Sequence, residues 1–335
     1  MQDKRPLLVC HIAICMALIV ISLGAWTRLN DAGLGCPDWP GCYGQVIVPL
    51  SSEQIALAEA KYAGRPVDVH KGMLEMVHRY LASSLGLVVM VLAWFAWRYR
   101  SYSGYPVKLS MGLLGLVVVQ GLFGMWTVTL KLLPLVVTLH LLGGLLTLLV
   151  LVGLRQRLRN IGVRLAGAKA RFKGLFPLVL LLLFVQLGLG GWTSANYAGW
   201  SCSHWLQCDA QSEIELDYRA GFKLMPEIGP DYQGGMLDQP ARAAIQMVHR
   251  AGAVMVGLVI GILAFALSKR AYCRFAALTV LGTLVLQVGL GILNVVFVLP
   301  LELAMAHHLG AVALLISVLW LKAQYEVGME GERDG

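Results

Sequence analysis

Eight stretches of this chain are apolar for about 20 residues at a time, the length a helix needs to cross the hydrocarbon core of a bilayer. They run approximately over 7–27, 73–97, 109–129, 135–154, 174–194, 243–267, 275–298 and 303–322. The expected fold class is therefore an all-α integral membrane protein with eight transmembrane helices. Composition agrees: of 335 residues, 58% are hydrophobic and 14% charged, against roughly 25% charged in soluble domains. The net charge of +8 does not mark a nucleic-acid binder, because the basic residues cluster in short segments between the apolar runs. "MQDKR", "RYRSYSGYPVK", "RQRLRNIGVRLAGAKARFK" and "SKRAYCR" fall on one face, which the positive-inside rule makes cytoplasmic. Both termini are expected inside, and two long loops, about 28–72 and 195–242, outside. The first span follows a basic stretch like the n-region of a signal peptide. No small-residue cleavage site follows it, so it is read as a helix.

The chain also repeats itself. "GAWTRLNDAGLGCPDWPGC" (24–42) resembles "GGWTSANYAGWSCSHWLQC" (190–208), pairing Trp26 with Trp192, Cys36 with Cys202 and Cys42 with Cys208 at an offset of 166. "MVHR" at 76–79 returns at 247–250, and "VVVQGLFG" (117–124) returns as "LVLQVGLG" (284–291). His140 in "TLHLLGG" pairs with His307 in "MAHHLGA". Each half holds an even number of spans, so both enter the membrane in the same orientation, as a parallel internal repeat rather than an inverted one. The expected architecture is two pseudo-symmetric four-helix bundles, N-in and C-in, over 1–153 and 174–322. A basic cytoplasmic linker, 154–173, joins them, and the acidic tail 323–335 reads as a disordered cytoplasmic end.

Four of the eight histidines fall at matched positions: His78 and His140 in the first half, His249 and His307 in the second. All four lie near the outer ends of their spans; His78 is about five residues in, or roughly 8 Å at 1.5 Å per residue. Facing imidazoles on a four-helix bundle are a standard way to build a bis-His heme site. A single intramembrane histidine is as readily a helix-to-helix hydrogen bonder; four at matched positions favour heme. Zinc wants four donors close together, and the helices offer no nearby cysteine. Gly86, Gly121, Gly124, Gly143 and Gly144 leave room for a flat macrocycle between backbones. Arg79 and Arg250, directly after two of the histidines, can pair with heme propionates or snorkel to the interface. Glu75 stands three residues before His78 and shares its helix face. A carboxyl in an apolar span is costly and normally functional, and near a substrate it can trade a proton. The second half has Gln246 there, of similar size with no proton to trade. One site is expected to do chemistry and the other to carry electrons.

With these residues in place, the chain resembles the heme A synthase family over nearly its whole length. The resemblance rests on eight helices in two homologous halves, paired histidines, "ExxHR" at 75–79 and cysteine pairs in the long outer loops. It implies an oxidoreductase that converts the C8 methyl group of heme O to a formyl group through a hydroxymethyl intermediate, yielding heme A. It implies that His78 and His140 ligate the substrate heme, that His249 and His307 ligate a resident heme B, and that Glu75 is catalytic, either accepting a proton as the methyl is oxidised or stabilising cationic character there. Heme O synthase would be the supplier and an aa3-type terminal oxidase the recipient, in the cytoplasmic (inner) membrane of a bacterium. Membrane lipid is the other expected partner, and oligomeric state is left open. The pairs Cys36–Cys42 and Cys202–Cys208 lie in outer, oxidising loops where each spacing permits a local disulfide, as a loop staple or as a redox-active pair. Cys10, Cys15 and Cys273 read as ordinary thiols, and His11, His70 and His204 as lying away from the sites. His308 points about 100° away from His307 on a helix. Gln120 and Gln287 match between halves and can each satisfy a neighbouring helix. The alternatives are a di-heme b-type electron-transfer cytochrome, which leaves the Glu75/Gln246 difference unexplained, and a heme transporter or assembly factor, which leaves the ligand pairs unexplained.

Overall fold

In a computed structural model of the chain, residues 3–161, 174–204, 208 and 215–334 are described, with side chains to Gly328. Among the described residues there are ten helices and no named strand: α1 Arg5–Leu29, α2 Ser52–Lys61, α3 Val69–Arg98, α4 Val107–Thr129, α5 Pro134–Arg159, α6 Leu175–Ala195, α7 Tyr218–Gly221, α8 Gln239–Ser268, α9 Arg274–Val296 and α10 Leu301–Asp334. Eight of them are long and apolar enough to cross a membrane, and they coincide with the eight expected spans. Burial shows why both faces are apolar. On α8, Val256, Ile260, Leu263 and Leu267 face inward, while Val254, Leu258, Ile262 and Phe265 are exposed one helical turn apart, the surface that lipid covers.

The short helices α2 and α7 lie in the long connections and were not anticipated. α2 starts at a capping box in which Ser51 and Gln54 exchange hydrogen bonds. α10 continues into the tail that the sequence suggested would be irregular. Lys322 and Glu326 pair at 2.7 Å one turn apart, and Tyr325 is buried with its ring 5.7 Å from Phe176 of α6. The basic linker falls mainly on 162–173, outside the described residues.

The chain forms two units: Met1–Arg164 with Met225–Gly234, and Leu165–Leu224 with Gly235–Gly335. In the first, α1 and α4 each pack on both α3 and α5, closing a ring of four helices. In the second, α6 and α9 each pack on both α8 and α10 in the same way. The segment Met225–Gly234 comes from the second long connection yet belongs to the first unit. Tyr232 is buried against Leu132, Leu133 and Val136, its N–H donates to the Lys131 carbonyl at 3.0 Å, and Asp231 pairs with Arg65 at 2.8 Å.

Helices α1, α4, α6 and α9 end alike. The N–H of Ala32, Leu132, Ala198 and Leu299 donates to the carbonyl of Thr27, Thr127, Thr193 and Asn294 at 2.9, 2.8, 2.9 and 2.7 Å. The preceding residues, Asp31, Lys131, Tyr197 and Val298, have φ of 50, 48, 53 and 57°. This is the Schellman closure, whose left-handed position normally holds glycine. Val298 is the worst suited, being β-branched, and its side chain is exposed, so it has little packing to lose. Val298→Gly is expected to stabilise the protein by about 1 kcal/mol, read as a raised unfolding temperature in detergent. An unchanged or lowered value would show that the strain is relieved elsewhere.

Candidate functional site

His78 and His249 lie further along their helices than expected, because α3 and α8 start about a turn earlier than the apolar runs. Asp68 and Asp238 cap α3 and α8, accepting from Lys71 N and Ala241 N at 3.0 and 3.2 Å. From these starts His78 and His249 lie about 14–15 Å along their helices at 1.5 Å per residue. Each of the four matched histidines presses its ring against a glycine of a neighbouring helix. A Cβ added at Gly24, Gly124, Gly190 or Gly291 would lie 2.8, 3.5, 3.3 or 3.1 Å from Cε1 of His78, His140, His249 or His307. A side chain at Gly24 or Gly291 would displace the ring.

One turn before three of these glycines stands a glutamine that reaches the same histidine. Gln120 Nε2 donates to the His140 carbonyl at 2.8 Å. Gln186 Nε2 donates to the His249 carbonyl at 2.9 Å and meets His249 Nδ1 at 3.0 Å. Gln287 Nε2 meets His307 Nε2 at 3.3 Å. Each glutamine fits because the residue three after the histidine is glycine: Gly143, Gly252 and Gly310 face Gln120, Gln186 and Gln287. Gly143 therefore admits an amide rather than a macrocycle, while Gly121 faces open space. The sequence reading noted Gln120 and Gln287 but missed Gln186. The legible signal was "QxxxG" at 120–124, 186–190 and 287–291, followed by "HxxG" at 140–143, 249–252 and 307–310. In the remaining copy Val20 stands for the glutamine and Leu81 for the glycine.

The paired histidines lie within electrostatic range of each other, His78 with His140 and His249 with His307. Nδ1 of His78, His140 and His307 is buried without a hydrogen-bond partner, a state that costs about 1–3 kcal/mol for an ordinary polar group. Among the described residues no three His, Cys, Asp or Glu side chains gather as a metal-ion site, so zinc finds no four-donor set there. Two imidazoles per unit, unpartnered ring nitrogens and glycine-lined backbones fit a planar metal-bearing group that these histidines would hold. His308 Nε2 is also buried without a partner. His11 is engaged at the other end of the first unit, where its Nε2 accepts from Arg155 Nε at 2.7 Å.

Glu75 and Gln246 are both buried and do different things. Glu75 Oε1 pairs with Arg79 at 2.5 Å, and Oε2 accepts from Cys36 N at 2.9 Å. Gln246 instead donates through Nε2 to the Gly199 carbonyl at 2.8 Å. Both expected disulfides are formed, Cys36–Cys42 and Cys202–Cys208. Each loop is held by the arginine after the histidine. Arg79 Nη1 donates to the carbonyls of Asp38, Pro40 and Gly41 at 3.0, 3.2 and 2.6 Å. Arg250 donates to the carbonyls of His204 and Cys202 at 2.5 and 3.4 Å, while its Nε is buried without a partner. Asp38 completes the first loop by accepting from Tyr43 N and Gly44 N at 2.6 and 2.7 Å. Burial in this loop raises the Tyr43 phenol above its ordinary pKa, so it stays a donor to the Pro66 carbonyl at 2.9 Å. These loop contacts were not foreseen. Cys10 and Cys273 are buried thiols and Cys15 is exposed.

The family model described as cytochrome oxidase assembly protein, COX15-CtaA, matches residues 8–319. Heme A synthase of Shewanella oneidensis is 41% identical over 312 residues, covering 92% of this chain and 93% of the relative. Heme A synthase of Methylobacterium radiotolerans is 30% identical, covering 91% of this chain and 86% of the relative. Heme A synthase COX15 of Saccharomyces cerevisiae is 26% identical, covering 91% and 72%. The matched residues hold all four paired histidines, Glu75 and both disulfides, and the chain belongs to the COX15-CtaA family of cytochrome oxidase assembly proteins.

Proposed function

We propose that this chain is a multi-pass membrane oxidoreductase that oxidises the C8 methyl group of heme O to the formyl group of heme A, through a hydroxymethyl intermediate. The observation that carries the assignment of chemistry to one half is the contrast between Glu75 and Gln246 on matched frameworks. His78 and His140 bind the iron of heme O as substrate. His249 and His307 hold heme B, which supplies one-electron chemistry when bound. Glu75, one turn from His78 on the same helix face, accepts the proton released as the methyl carbon is oxidised. Arg79 orients that carboxylate from one side and the Cys36 N–H from the other, and the disulfide loop they fasten covers it from water. Arg250, which keeps a buried Nε donor, meets a propionate carboxylate; Arg79 keeps the same role only through donors not spent on its loop.

The membrane is the bacterial inner membrane, with the long connections and disulfides on the periplasmic side, where oxidised cysteines persist. A heme O synthase supplies the substrate and an aa3-type terminal oxidase receives the product. The test is to purify the chain from cells that make heme O and identify its pigments by chromatography and mass. Heme B together with heme O, its hydroxymethyl form or heme A is expected. Heme B alone in both halves would replace this reading with an electron-transfer cytochrome.

A further inference from the structure

The four histidine units differ at one place that the overall repeat conceals. Three carry glutamine one turn before the glycine and glycine three residues after the histidine; the unit of His78 carries Val20 and Leu81. The two changes belong together, because the glycine is what leaves space for the amide: at Gly252 an added Cβ would strike Gln186, and at Gly143 it would lie 2.7 Å from Gln120. His249 is thus tied at Nδ1 and at its own carbonyl by one side chain. His78 meets the backbone carbonyl of Val20 and no amide, and its Nδ1 is left without a partner.

We propose that Gln186 is a positioning residue that makes the second-half site retain its heme, and that the Val20–Leu81 substitution lets the first-half site exchange its own. This rests on the heme assignment above and adds what separates a resident group from a passing one. Groups that hold the second nitrogen of a ligating histidine fix its ring and raise its basicity, and losing them typically costs about 10–100-fold in metal affinity. An amide suits either tautomer. Turned over, it presents Gln186 Oε1, now buried and unpartnered, to Nδ1–H while the other ring nitrogen faces iron, and it gives up the Nε2 bond to the His249 carbonyl. The Val20 side chain can neither donate nor accept, which leaves His78 only that residue's backbone carbonyl. A site that must take up heme O and release heme A gains from a ligand held less firmly.

The test compares wild type, Q186V and the reverse double variant V20Q/L81G as full-length protein in detergent. Heme loss to apomyoglobin is timed, and the midpoint potential of the second-half heme is measured. Q186V is expected to lose heme B roughly 10–100-fold faster. Its potential should rise, because a less basic ligand stabilises ferric iron less, a change that loosened packing alone would not give in a fixed direction. V20Q/L81G is expected to hold first-half pigment longer than wild type, and this gain cannot come from misfolding. Wild-type loss rates in both variants, with an unmoved potential, would overturn the inference while leaving the functional reading intact. A wild-type chain holding no heme B would overturn both.

Discussion

Glu75→Gln, which gives the first half the residue its counterpart already carries, is expected to leave heme O bound and unoxidised, with formylated product reduced roughly 10²–10⁴-fold, the usual contribution of a positioned general base. Glutamine keeps the length and can still accept from Cys36 N–H, and Arg79 keeps its three loop carbonyls. The disulfide loop therefore stays docked, and a lost product reports on the proton rather than on the fold. Glu75→Ala is the harsher change. Both variants leave the Arg79 guanidinium without its carboxylate, and breaking a buried pair on one side costs about 3–5 kcal/mol; alanine in addition leaves the Cys36 N–H without its acceptor. Pigment extraction from both variants reads the outcome. Heme A at the wild-type level in Glu75→Gln would remove the carboxylate from the mechanism.

His249→Ala and His307→Ala are each expected to abolish the low-spin bis-imidazole signature of the second half and to strip most heme B from the purified chain. Neither position has a substitute. His308 is adjacent to His307 but turned about 100° around α10, and the first-half pair belongs to a different ring of helices. The absorption and electron paramagnetic resonance spectra check this. Retention of the low-spin signal in either variant would reassign the ligands. His140→Ala serves as the contrast, since it should disturb substrate pigment and spare that signal.

The eight spans were legible because a lipid-facing helix must be apolar wherever it touches lipid, and Val254, Leu258, Ile262 and Phe265 advertise that. Both disulfides, the four paired histidines and Glu75 were legible because they recur, or fail to recur, at a fixed offset. Gln186 was not. Opposite Gln186 in the repeat stands Val20, so that position offers no matched polar pair between the halves. The spacing hid it too: from glycine to histidine it is 16 residues in two units and more than 50 in the others, where the long connections intervene. The partners of Arg79 and Arg250 are backbone carbonyls, which every residue possesses, and so no side-chain pattern announces them. The α10 extension depended on Tyr325 finding Phe176, a contact between residues far apart in the chain.

The Met225–Gly234 segment gives the duplication a lopsided outcome. Two copies of one ancestor would each be self-sufficient, yet here the first ring borrows Tyr232 from its sibling to shield Leu132, Leu133 and Val136. The loan runs one way along the chain. A polypeptide emerging from the ribosome completes its first four spans long before that segment is made, and the turn between α4 and α5 waits bare in the meantime. Assembly of the earlier half is thus finished by the later one, and a synthesis halted between them yields a ring with its rim uncovered.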